Sequence, residues 1–201
     1  MTSNHNSQSV QNHSKHIFLI DDDESMRTVL KGMLEFLGFQ VHVYASAIEF
    51  LKVSMQAAPA VIITDMQMPD MSGVELQAEL LKRGRQIPII FISGESTLPQ
   101  TISAMKQGAI EFLVKPFEID ELLEAVNNAI RIELKEINLN LLIENLSPRE
   151  REVYNLLLKG HNNQELIDKL HLSLPTVKQY KSEVMRKLNV KSLSKLIELA
   201  K

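Results

Sequence analysis

The feature that most constrains this chain is an alternation repeated five times between His16 and Ile132. Short apolar runs rich in β-branched residues stand at 17–20 (IFLI), 40–44 (QVHVY), 61–64 (VIIT), 88–92 (PIIFI) and 110–114 (IEFLV). Each is followed by a segment with helical periodicity, near Ser25–Leu37, Ala47–Met55, Val74–Lys82, Leu98–Gln107 and Ile119–Ile132. Strands this short, with helices between them, require a mostly parallel sheet covered on both faces. Right-handed crossovers then make residues 16–132 a five-stranded, doubly wound parallel α/β domain.

Such a sheet lines up the carboxyl ends of its strands, and ligands gather at that edge. In VIITDMQMPDMSG the third strand delivers Asp65 there, and Pro69 and Gly73 stop the chain from continuing as strand or helix. A lone aspartate after a strand is usually a turn or cap residue. Here it has company. The first strand ends in Asp21, Asp22 and Asp23, the fourth in Ser93-Gly94, and the fifth in Lys115-Pro116, whose peptide is compatible with the cis form. Carboxylates crowded together raise one another's pKa unless a cation offsets them, and hard oxygen donors without His or Cys suit Mg²⁺.

Composition narrows the setting. Of 201 residues 44% are hydrophobic and 23% charged, ordinary for a globular chain with room for two cores. No apolar run reaches membrane-span length, the polar start (residues 1–15) reads as a disordered tail without a signal core, and cysteine is absent, so a cytoplasmic location is expected. The net charge of −3 hides an asymmetry: residues 1–132 hold 10 basic and 16 acidic side chains, residues 146–201 hold 11 and 6. An acidic first half and a basic second half look toward different partners.

Residues 133–145 contain neither Gly nor Pro. Apolar residues at Leu123, Ile130 and Ile137, and at Leu134 and Leu141, keep heptad spacing, so this linker reads either as a self-pairing helix or as an amphipathic helix lying on its own domain. From residue 146 to 201 the pattern is short helices only. Ser147 caps the first, Pro148 opens it and Gly160 ends it; the second spans about Asn163–Leu170, the third about Leu174–Leu188 behind Ser173, and the fourth Ser192–Ala200. That is an all-α four-helix domain with a tight turn at HLS between its second and third helices.

The ordered set IDDD, TDMQMPDMSG, ISG and EFLVKPFE resembles the receiver domain of bacterial two-component response regulators. The resemblance implies Asp65 as phosphoacceptor, Asp21, Asp22, Asp65 and the backbone carbonyl of Gln67 as Mg²⁺ ligands, and Ser93 and Lys115 as groups attending the phosphoryl. Phe112 stands at the position of the family's switch aromatic. The text LSPREREV, NNQELIDKL and LSLPTVKQYKSEVMRKLNVKS resembles the LuxR-type helix-turn-helix of FixJ/NarL regulators. That implies Lys178, Gln179 and Ser182 facing bases, with Thr176, Lys181, Arg186, Lys187 and Lys191 suited to phosphates. Departures are Gln164 and Tyr180, where the family commonly has Lys and His.

The implied protein is a phosphorylation-dependent transcriptional regulator rather than a turnover enzyme. Its expected partners are a sensor histidine kinase, promoter DNA, a second copy of itself after phosphorylation, and RNA polymerase at the promoter. A Mg²⁺-dependent phosphohydrolase is the alternative, but it needs an acid two residues beyond its nucleophile, and Gln67 stands there. A dinucleotide-binding module would need a Gly-rich turn after the first strand, and none is present.

Overall fold

The computed structural model describes residues 14–53, 57–94 and 98–200. The chain divides after Leu134 into two compact units. In the first, strands β1 (His16–Ile20), β2 (Gln40–Tyr44), β3 (Ala60–Asp65), β4 (Ile89–Ser93) and β5 (Glu111–Val114) form one parallel sheet in the order β2-β1-β3-β4-β5. The doubly wound architecture expected from the alternation is present.

Successive strand residues feed opposite faces. Ile17, Leu19, Val61, Ile63, Ile90 and Ile92 pack against Leu30 and Leu34 of α1 (Glu24–Phe36) and against Leu122, Val126 and Ile130 of α5 (Ile119–Glu144). Phe18, Ile20, Ile62 and Phe91 pack the other way, on Phe50 of α2 (Ala47–Phe50), Leu76 and Leu80 of α3 (Gly73–Lys82) and Ala104 of α4 (Leu98–Lys106). Each buried Leu, Ile or Phe side chain contributes about 1.5–3 kcal/mol, which is why the strands read as unbroken apolar runs.

One expectation changes, and one open choice narrows. The second helix ends at Phe50 instead of running to Met55; residues 54–56 lie outside the described set. The carbonyls of Leu51 and Val53, which a longer helix would use itself, accept from the Arg83 and Arg85 guanidinia. Of the two readings of the heptad seam, its first half fits the helix lying on its own domain, while Leu141 is exposed. Ile130 is buried in the sheet-side core, Leu123 and Leu134 pack against it, and Leu142 and Ile143 pack against the core of the second unit. A coiled coil using Leu123 and Ile130 would have to strip the first unit's own core.

The second unit packs α6 (Pro148–Leu158), α7 (Asn163–Leu170), α8 (Leu174–Lys187) and α9 (Leu193–Leu199) around Val153, Leu157, Leu166, Val177, Val184 and Leu196. Ser147 and Asn162 start α6 and α7 with reciprocal capping boxes to Glu150 and Glu165, and Ser173 caps α8. Between α7 and α8 the chain reverses through His171, whose left-handed backbone (φ 53°) ends α7.

Candidate functional site

Four strand ends converge as anticipated. Lys115 Nζ donates to Asp65 Oδ2 at 2.6 Å and to Asp21 Oδ2 at 3.2 Å, joining residues 50 and 94 positions away in the sequence. The other oxygens are also fixed. Asp65 Oδ1 accepts from the Gln67 N–H and Asp21 Oδ1 from the Asp23 N–H, each at 2.8 Å. The Lys115 N–H donates to the Ser93 carbonyl at 2.8 Å, which ties the end of β5 to that of β4. The peptides Lys115-Pro116 and Ala58-Pro59 are cis. Ser93 is buried, at 1% exposure.

Electrostatics at this edge are unbalanced toward negative charge. Burial pushes the Asp21 carboxyl above its usual range and the Asp65 charge adds to that, outweighing the Asp23 N–H and the Lys115 ammonium. Burial alone would lower Lys115, but its hydrogen bond to Asp65 and the charges of Asp21 and Asp65 raise it, so the ammonium stays charged. An all-oxygen donor set whose buried acid is still under-compensated fits a hard divalent cation.

The three acids of β1 part company. Asp23 is spent as the N-cap of α1, accepting from the Ser25 and Met26 N–H groups, while Asp22 is exposed and only Asp21 joins Asp65 on Lys115. Among the described residues no cluster of three or more His, Cys, Asp or Glu is assembled for a metal. Two contributions escaped the sequence reading, which did not single out Arg27 and took Gly73 only as a break, whereas Gly73 opens α3. Arg27 donates to the Asp21 carbonyl. Gly73 lies so close under Asp65 that a Cβ there would meet the Asp65 carbonyl oxygen at 2.4 Å. Neither contact has a local signal, because both join elements through the fold.

Phe112 is half-buried, packing against the core on the α3–α4 side of the sheet. It also lines an open cleft of about 960 Å³, together with Val114, Pro116, Glu121, Glu124 and Arg131.

On α8 the residues expected to meet nucleic acid separate into two groups. Lys178, Gln179, Ser182 and Arg186 are exposed, as is Lys191 beyond the helix, with Arg186 in a surface pair with Glu183. The others are engaged within the domain. Thr176 Oγ1 pairs with the capping Ser173 hydroxyl at 2.8 Å, and Lys181 Nζ donates to Asn163 Oδ1 at 2.7 Å. Lys187 Nζ lies 2.6 Å from Glu150 Oε2 and donates to the Asn145 carbonyl at 3.3 Å. Tyr180 is half-buried against the core.

Residues 17–127 match the response regulator receiver domain, and residues 144–200 match the bacterial regulatory proteins of the luxR family. The chain is 38% identical to nodulation protein W of Bradyrhizobium diazoefficiens over 92% of its own length and 84% of that protein. The chain belongs to the two-component response regulators. Among solved structures, this regulator is similar to response regulator StyR (36% identity, TM-score 0.59, covering 93% of this chain and 98% of that one). It is also similar to full-length FixJ from B. japonicum (33%, TM-score 0.56, covering 92% and 95%). A receiver followed by a luxR-type domain makes the regulator a phosphorylation-dependent, DNA-binding transcriptional regulator, with a histidine kinase and DNA as the partners implied. No helix among the described residues is long and apolar enough to cross a membrane.

Proposed function

We propose that Asp65 is the phosphoacceptor of this regulator and that its phosphorylation promotes a dimer able to bind promoter DNA. The observation that carries the reading is Lys115 bridging Asp65 and Asp21 at the ends of three strands. The Asp65 carboxylate attacks phosphorus in line with the departing group of a phosphohistidine or an acyl phosphate. Lys115 then turns its charge to the equatorial oxygens, and the Ser93 hydroxyl donates to one of them. Asp21, Asp22, Asp65 and the Gln67 carbonyl would hold Mg²⁺, which when bound offsets phosphoryl charge.

Phe112 connects this edge to the surface. It lies between the core and the cleft beside α5, so withdrawal of Ser93 toward a phosphoryl group leaves room for the ring to move inward. The change is a population shift, no larger than the difference in phosphoryl contacts between the two states. In the second unit, Lys178, Gln179 and Ser182 form the base-reading face of α8, and Lys191 meets phosphate.

Acetyl phosphate with Mg²⁺ should add one acid-labile phosphoryl group to wild type and none to Asp65→Asn. Equal labelling of the two proteins would refute the assignment. Light scattering should record a rise in dimer content with labelling, and an unchanged monomer would refute the switch. DNA affinity, read by fluorescence anisotropy, should rise with labelling and fall steeply with salt.

A further inference from the structure

We infer that Lys187, read from the sequence as a phosphate ligand, is instead a positioning residue that clamps the recognition helix to the junction between α5 and α6. The inference rests on α8 being the DNA-reading helix, and it concerns what sets that helix in place. Lys187 closes the last turn of α8, and its ammonium points into the domain. There it meets Glu150 Oε2 at 2.6 Å, on a side chain only 8% exposed, and the Asn145 carbonyl at 3.3 Å.

Glu150 is not an ordinary partner. The same Oε2 accepts from the Ser147 N–H at 2.7 Å, and the Ser147 hydroxyl accepts in return from the Glu150 N–H. The acid is therefore at once the capping box of α6 and the counter-charge of α8. Arg151 fastens the other side of the joint, donating to the carbonyls of Ile143 and Glu144. Residues 143–147 thus present backbone groups to side chains from α6 and α8, and Leu146 is buried between those helices' core residues. Moving Lys187 out to a DNA phosphate would leave a buried carboxylate without its cation, which a phosphate contact on the solvated surface does not recover.

The salt dependence of binding separates the two roles. A side chain that neutralises a phosphate contributes to the slope of log affinity against log salt; one that aims the helix does not. The test uses the full-length, phosphorylated protein and a duplex recovered by selection on random DNA, with anisotropy read over a range of salt in the cold, where circular dichroism shows each variant folded. The wild-type isotherm, taken first, tests the DNA reading by itself.

Lys187→Ala should then weaken binding about tenfold with the salt slope unchanged. Lys187→Arg should recover affinity, and Glu150→Gln should reproduce the loss without adding to it in the double variant. Lys191→Ala, the control, should lower the slope by about one. A Lys187→Ala slope that also falls by about one would overturn the clamp in favour of a phosphate ligand, and undiminished affinity in the folded variant would reduce Lys187 to a stabilising residue. Independently of DNA, amide exchange in Lys187→Ala should accelerate together at Asn145–Ser147 and at the end of α8. Acceleration of one segment alone contradicts the clamp.

Discussion

Lys115 Nζ stands 2.6 Å from Asp65 Oδ2, the shortest of the two contacts by which one ammonium holds acids from β1 and β3. Removing it takes away the cation that gathers these carboxylates and, on the proposed function, the charge that meets the incoming phosphoryl group. Lys115→Ala should slow labelling of Asp65 by acetyl phosphate about 10²–10³-fold at saturating Mg²⁺, measured by separating phosphorylated from free protein over time. Lys115→Arg should recover only part of the rate, since the planar guanidinium cannot occupy the point between Asp65 and Asp21.

Gly73 should be the least replaceable glycine of the receiver. A methyl group there meets the Asp65 carbonyl oxygen at 2.4 Å, Phe91 Cε1 at 3.0 Å and Thr64 Cγ2 at 3.2 Å, and the first of these is backbone. Urea unfolding of Gly73→Ala should show a loss of about 2–4 kcal/mol, with labelling of Asp65 slowed as β3 shifts. Gly32, inside α1, is the contrast: nothing lies within 4 Å of an added Cβ, so Gly32→Ala should stabilise by about 0.5–1 kcal/mol.

What the sequence made legible follows from how local each signal is. The βα alternation placed all five strands: the central β1, β3 and β4, buried on both faces, are apolar almost throughout, and the edge strands β2 and β5 kept the alternation even with exposed positions. Capping residues located α6 and α8 within a residue or so, because Ser147 and Ser173 satisfy N–H groups only a few positions on. Asp65, Asp21 and Lys115 were recoverable as a group because strand order brings carboxyl ends together. The fates of Asp23, Lys181 and Lys187 were not. A cap and two cross-helix partners absorbed them, and charge type alone cannot tell an inward lysine from an outward one. The seam of α5 left two readings open for the same reason, since heptad spacing does not say whose core Ile130 enters.

Acid should loosen the receiver at the sheet edge that β2 forms. His16 Nδ1 and His42 Nε2 lie 3.1 Å apart, and burial, followed by the His42 charge, lowers the His16 pKa. The unfolded chain, with an ordinary His value of about 6.5, therefore takes up a proton that His16 resists in the folded state. The stability at stake is fully present above that value and is lost as pH falls from it through the lower folded pKa. Urea midpoints should drop across this window in wild type. His42→Phe, which keeps an aromatic ring beside Phe18, should give a shallower drop without abolishing it, because burial remains the larger cause.

Glu150 gives the second unit a titration of the same sign, lower on the pH scale. Its hydrogen bond from Lys187, and next that from the Ser147 N–H, hold its carboxyl below the usual glutamate range. A group whose folded pKa is depressed contributes stability above its unfolded value of about 4.3, and that contribution is lost as pH falls through the folded pKa. Glu150→Gln keeps the shape and a weaker capping acceptor but removes the charge facing Lys187, whose side chain is 27% exposed. At neutral pH the variant should be less stable by about 1.5–3 kcal/mol, the range for a hydrogen bond to a charged group. Calorimetry through progressively acid buffers should show wild type and variant converging once Glu150 is protonated in the folded state. A difference that persists unchanged in acid would mean that the Lys187 ion pair is not what Glu150 contributes to the fold.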